Sequence, residues 1–168
     1  MGEEVKRIQI FHEVMIPLMV SACDAKSYLE LGTHHNETIG KVVCERRYGV
    51  DILPVPLAGV EMFAMTTDDF IAGHAALHAP YDFVFIDADH SCAAARDDFF
   101  GILPHVSPEG IICLHDTNPA TQSDTRMDLC GDSWKFAMEL HDRGYESVTL
   151  NYHPGLTIAR NRKRWVPR

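Results

Sequence analysis

Tyr81-Asp-Phe-Val-Phe-Ile-Asp87 is the stretch on which the architecture turns: five of its seven residues are aromatic or β-branched, and an aspartate closes it. A short, nearly unbroken apolar run of this kind suits a strand buried on both faces, and such strands belong to parallel sheets covered by helices. Just downstream, Ala93 to Leu103 carries apolar residues at helical spacing, Pro104 to Gly110 is expected as a loop, and Gly110-Ile-Ile-Cys-Leu-His115 reads as the next strand. Upstream, Val60 to Met65 is a predicted strand, and Thr66, Thr67 and Asp68 supply the N-cap for a helix from Asp69 to Leu77.

Moving outward, the alternation continues. Ser27 to Gly32 is a predicted strand, followed by a polar turn, a helix over about Thr38 to Arg46, and a strand from Tyr48 to Ile52. The proline-rich link from Leu53 to Gly59 is too short for a crossover helix. Beyond the polar loop Asn118 to Asp132, a helix is expected from Ser133 to Asp142, ending at Gly144. Ser147 to Tyr152 and Leu156 to Arg160 are then expected to pair as a hairpin around Pro154-Gly155. At the other end, Ile8, Phe11, Met15, Leu18 and Ala22 lie at helical spacing, with a kink expected at Pro17. The fold class is therefore α/β: one doubly wound, mostly parallel sheet with helices on both faces and a C-terminal antiparallel hairpin. Residues 1–168 form one domain, with 1–26 as an N-terminal helix and 161–168 as a basic tail.

Composition narrows the function classes. Hydrophobic residues make up 46% of the chain and charged residues 23%, as in soluble globular proteins. The apolar runs fall far short of the roughly 20 residues that span a bilayer, so no membrane partner is expected. The acidic opening Met1-Gly-Glu-Glu lacks the basic start and apolar centre of a secretory signal, which predicts a cytoplasmic location. Five cysteines, at 23, 44, 92, 113 and 130, form no CxxC pair and are expected as buried free thiols. A formal net charge of −9 disfavours general nucleic-acid binding. Arg160, Arg162, Lys163, Arg164 and Arg168 are expected to be a solvated basic terminus, and a homo-oligomer is compatible with this composition.

In open α/β sheets, ligands bind outside the carboxyl ends of the strands, where strand order reverses. Those ends here carry Glu30 and Gly32, Asp51, Thr66 and Thr67, Asp87 to His90, and His115 to Thr117. Any one of them has an ordinary alternative as a helix cap or a solvated charge. Asp51 follows Gly32 by 19 residues, the separation expected of an acid that accepts hydrogen bonds from the ribose of an adenosine-type cofactor. The turn Gly32-Thr-His-His-Asn-Glu-Thr38 holds a single glycine, where a dinucleotide fingerprint needs three. That counts against NAD or FAD and favours a cofactor without phosphates, such as S-adenosylmethionine. His34 and His35 are expected as solvated turn residues, and Trp134, Phe136 and Met138 as core.

Three segments carry a resemblance: Tyr28-Leu-Glu-Leu-Gly-Thr33, Asp82-Phe-Val-Phe-Ile-Asp-Ala-Asp-His-Ser91 and Ser107-Pro-Glu-Gly-Ile-Ile-Cys-Leu-His-Asp-Thr117. They resemble the signature segments of class I S-adenosylmethionine-dependent methyltransferases, especially small-molecule O-methyltransferases. Asn36 stands where that family usually has another glycine. The resemblance implies that Glu30, Gly32 and Thr33 lie near the cofactor's methionine part, that Asp51 holds its ribose, and that Thr66 or Thr67 borders the adenine. It also implies that Asp87 borders the cofactor and, with Asp116, binds a divalent cation such as Mg2+. Thr117 occupies the position of a commonly present Asn ligand, and His90 matches a catalytic base position. The acceptor implied is a small-molecule hydroxyl, whose deprotonation the cation and His90 would share. Competing readings are a catalytically silent methyltransferase-like binding or assembly domain, a metal-dependent hydroxylase-like relative of the same fold, and an NAD-dependent oxidoreductase.

Overall fold

The computed structural model describes residues 12–164. In chain order the elements are α1 (His12–Ala22), β1 (Ser27–Leu31), β2 (Arg46–Asp51), β3 (Glu61–Ala64), α2 (Thr67–Gly73), α3 (Ala75–His78) and β4 (Tyr81–Ile86). They continue with α4 (Cys92–Ile102), β5 (Val106–His115), α5 (Trp134–Asp142), β6 (Tyr145–Leu150) and β7 (Leu156–Lys163). The seven strands form one sheet in the order β3-β2-β1-β4-β5-β7-β6. Strands β1 to β5 pair in parallel, and β7 runs antiparallel to both β5 and β6. The doubly wound sheet with its C-terminal hairpin is thus present, and strand order reverses between β1 and β4.

The two-residue period of a strand sends alternate side chains to opposite faces. Val84 and Ile86 of β4 join Leu29, Leu31, Phe99 and Phe136 in a core beneath α2, α4 and α5. Phe83 and Phe85 join Tyr28, Cys113, Ile16 and Val20 in a second core beneath α1. All five residues of β1 are buried, as expected of a central strand flanked by parallel neighbours.

Several expectations need correcting. The helix expected over Thr38 to Arg46 is only a 3₁₀ turn, Ile39–Lys41, and Arg46 already opens β2. Gly40 and the β-branched pair Val42-Val43 disfavour a helix too short to stabilise itself. The helix expected from Asp69 to Leu77 is split at His74 into α2 and α3, although Thr66 caps α2 as anticipated. Val106 to Gly110 is not loop but the first half of β5, with a register shift opposite Tyr81 and Phe83 that accommodates Pro108. In α1, Ile8 and Phe11 lie outside the described residues, Leu18 and Ala22 are exposed, and the buried stripe is Ile16 and Val20. Apolar residues occupy most of that helix, so two stripes satisfied the same spacing.

All five cysteines are free, but only Cys113 and Cys130 are buried. Phe136 is core, whereas Trp134 is half-buried and Met138 exposed. Strand β7 runs on through Arg162 and Lys163, so part of the basic segment is paired sheet: Arg160 and Arg162 bond Glu109, and Arg162 bonds Glu146. No helix among the described residues is long and apolar enough to cross a membrane.

Candidate active site

The carboxyl ends of β1 and β4 meet at Gly32. Its φ of +86° is a conformation L side chains rarely adopt, and an added Cβ would lie 2.2 Å from the Asp87 carbonyl oxygen. Glycine here therefore lets the turn after β1 press directly on the strand end that carries Asp87. The turn continues with His34 at φ +44° and Asn36 at φ +63°. Asparagine is among the residues that tolerate this region best, so Asn36 performs the backbone task for which a glycine was expected. Its amide also donates to the Val55 carbonyl at 2.9 Å, tying the turn to the proline-rich link.

Asp51 organises this turn. One carboxylate oxygen accepts from the backbone N–H groups of Thr33 (3.1 Å) and His34 (2.9 Å), and the other accepts from Leu53 (3.0 Å). A carboxylate offers about four acceptor positions, so one remains for a ligand hydroxyl. Thr33 is buried and its hydroxyl has no partner among the described residues. Glu30 is buried under the turn, accepting from the Tyr28 hydroxyl and from the backbone of Ile39. Burial raises its carboxyl to about 8, outweighing both bonds. Thr66 and Thr67, expected near the adenine, have local partners: Thr66 accepts from Asp69 N–H and donates to its carboxylate, and Thr67 bonds Asp98 on α4.

At the ends of β4 and β5 the structure gathers Asp87, His90, His115 and Asp116, and brings in His12 from α1. His115 Nδ1 lies 3.1 Å from Asp87 Oδ1 and 3.3 Å from Asp116 Oδ2. His90 Nε2 lies 3.3 Å from Asp116 Oδ2, and His12 Nε2 lies 4.0 Å from Asp87 Oδ2. Two sets hold donor atoms all within 4.8 Å of one another: His12, Asp87 and His115; and Asp87, His90 and Asp116. Burial works against charge on His115, but the facing Asp87 and Asp116 outweigh it and raise the imidazole to about 10. Burial likewise opposes ionisation of Asp87, yet His115, His12 and His90 hold its carboxyl below the usual range. Burial, with His115 alongside, lowers His12. Cys130 also reaches Asp116, and burial pushes its thiol up to about 12, so it is a thiol there and not a thiolate ligand.

His90 is held by its loop. Its Nδ1 donates to the Leu129 carbonyl, which only accepts, and this bond fixes the ring with Nε2 facing Asp116. The His90 carbonyl accepts from Asp132 and Ser133 N–H, at 2.9 and 3.0 Å. Gly131, at φ +56°, lets this loop close, since a Cβ would fall 2.2 Å from the His90 carbonyl oxygen. Asp116 itself has φ +57°, a strained conformation of the sort that gathers at functional sites.

Thr117, grouped with the metal ligands in the resemblance, lines a cavity of about 800 Å³ between α5, β6 and the loop after β5, together with Trp134, Met138 and His141. None of the clustered Asp and His residues lines that cavity. His34 and His35 are exposed and pack on each other, with ring centroids 3.9 Å apart. Sequence reasoning passed over His12. The signal was there, because His12, Ile16 and Val20 recur at i, i+4 and i+8 on the buried stripe of α1.

Comparison with known proteins bears on the family and the fold. Residues 27–117 match the family model described as Methyltransferase domain, more than half of the chain. No curated protein matches. Among solved structures, the chain is similar to cofactor-bound Rv0187 from MTB at TM-score 0.72 and 15% identity, over 96% of this chain and 85% of that one. It is similar to the O-methyltransferase from Bacillus cereus in complex with SAH at TM-score 0.67 and 15% identity, over 93% and 83%. It is also similar to the MycE methyltransferase of the mycinamycin biosynthetic pathway, in complex with Mg, SAH and mycinamycin VI, at TM-score 0.65 and 19% identity. That match covers 92% of this chain but 52% of MycE, so the chain spans about half the length of that relative. At these identities the likeness is one of fold, while the family match rests on the sequence itself. The chain belongs to the methyltransferase-domain family and has the class I S-adenosylmethionine-dependent methyltransferase fold.

Proposed function

We propose that the protein methylates a hydroxyl oxygen of a small molecule, using S-adenosylmethionine as donor and a divalent cation at Asp87 and Asp116. The observation that carries the reading is the meeting of His90 Nε2, Asp116 and Asp87 beside the Gly32 turn, at the point where strand order reverses. The turn suits a cofactor without phosphates: it offers one strict glycine, a buried Thr33 hydroxyl without a partner, and one remaining acceptor position on Asp51. When bound, S-adenosylmethionine supplies an electrophilic methyl group, whose carbon bonds to the acceptor oxygen as the carbon–sulfur bond breaks and leaves SAH. His90 Nε2 takes the hydroxyl proton, its ring held in position by the Nδ1 bond to Leu129. Asp87 and Asp116 would hold the cation, whose charge would stabilise the developing oxyanion.

The test follows transfer of labelled methyl from S-adenosylmethionine to a panel of catechols and sugar alcohols, alongside calorimetric titration with SAH. SAH binding with measurable transfer, and a loss of roughly 10²–10⁴-fold in rate for His90→Gln at unchanged SAH affinity, is the expected result. A protein that does not bind SAH would overturn the reading. Binding without transfer to any acceptor would favour the catalytically silent domain instead.

A further inference from the structure

The donor set around Asp87 does not look like one made for a magnesium ion. Mg2+ takes oxygen ligands and holds its water, whereas imidazole nitrogen favours the divalent transition metals. Two imidazoles face Asp87: His115 Nδ1 at 3.1 Å and His12 Nε2 at 4.0 Å, and all three residues offer donors within 4.8 Å of one another. An ion about 2.0–2.2 Å from each ligand places neighbouring ligand atoms roughly 3–4 Å apart, so these gaps are already close to the edges of a coordination polyhedron. The set is also preorganised. The His12 ring stacks on Phe85, centroids 5.5 Å apart, and meets His115 edge-on at 4.1 Å. The His115 side chain is 9% exposed, so its packing leaves the ring little room to turn.

We propose that His12, Asp87 and His115 form a two-imidazole, one-carboxylate site for a divalent transition metal of the Mn2+, Fe2+, Co2+ or Zn2+ type. The proposal rests on the methyltransferase reading for its role, since the ion would serve the acceptor hydroxyl, but its ligand chemistry stands on the geometry alone. His90 remains outside the set, its Nε2 left to the proton. Asp116, 3.3 Å from His115, borders it and offers a further oxygen. Helix α1 thereby contributes a ligand as well as a packing face.

The experiment uses the full chain, stripped with chelator and desalted, titrated with Co2+ under argon and read by visible absorption and by melting temperature. Expected are d–d bands of mixed nitrogen and oxygen ligation, a rise in melting temperature with Co2+ or Zn2+, and no displacement of Co2+ by millimolar Mg2+. His12→Gln and His115→Gln are each expected to weaken Co2+ binding at least tenfold and to alter the bands. SAH affinity, measured in chelator, should stay unchanged in both variants and certifies that they fold. Displacement by Mg2+ with equal ease, or Co2+ affinity unaltered in both variants, overturns the proposal. Failure of wild type to bind SAH strikes the methyltransferase reading alone, leaving the metal result to stand or fall by itself.

Discussion

Glu30 is the group whose ionisation the fold opposes most legibly, and Glu30→Gln isolates it. Its carboxyl lies at 2% exposure on the central strand, and burial raises it from 4.5 to about 8. That difference of about 3.5 pH units, at about 1.36 kcal/mol each, amounts to roughly 5 kcal/mol for charging the group in place. Because the folded value is the higher one, the folded chain holds this proton more tightly than the unfolded chain. Its contribution to stability is therefore complete below about pH 4.5, declines as pH rises, and is gone above about 8. Glutamine has no proton to lose, and its carbonyl still accepts from Tyr28 and Ile39; any cost of an idle amide, about 1–3 kcal/mol, is the same at every pH. Urea unfolding of both proteins by circular dichroism, from pH 5 to pH 9 at fixed ionic strength and without cofactor, gives the comparison. Subtracting the two curves removes the titrations they share. The wild type is expected to lose about 3–5 kcal/mol relative to Glu30→Gln across that range. A difference that stays flat within about 0.5 kcal/mol, or rises with pH, refutes the argument.

Two further outcomes follow from the turn and the loop. Asp51→Ala removes the acceptor of three backbone N–H groups, and calorimetry with SAH should show binding weakened by roughly 1.5–3 kcal/mol; equal affinity would show that Asp51 neither shapes the turn nor meets the ligand. Gly131→Ala drives a Cβ into the His90 carbonyl, so methyl transfer should fall at least tenfold while SAH affinity holds, and full activity would show that His90 needs no such clamp.

The parts of the fold that could be read from the chain were those in which local and long-range signals agreed. Tyr81–Ile86 and Ser27–Leu31 are buried on both faces, so their composition alone marks them as central strands. Thr66 caps α2 because its hydroxyl meets a local need that tertiary contacts do not change. Val106 to Gly110 misled because Pro108 and Gly110 signal a loop, and only the neighbouring Tyr81 edge and a register shift make that segment strand. At the site, Asp87, His90 and Asp116 were legible as strand ends. The spacing of His12 with Ile16 and Val20 marks it as facing inward, but nothing local tells that α1 lies across the end of β5. Thr66 and Thr67, at the end of β3, have partners of different kinds: Thr66 meets Asp69 beside it in the chain as the cap of α2, whereas Thr67 bonds the distant Asp98 on α4.

The contact between Gly32 and the Asp87 carbonyl makes the turn after β1 and the end of β4 a single mechanical part. A ligand that shifts the turn by a fraction of an ångström cannot leave the Asp87 carboxylate where it was, because close-packed backbone does not yield independently on its two sides. On the proposed reading, occupancy at the two places would be linked, and linkage has no direction: whatever factor a cofactor at the turn imposed on affinity at the carboxylates, a ligand there would impose on the cofactor. The size of that shared factor would then be a property of this one glycine contact as much as of either ligand.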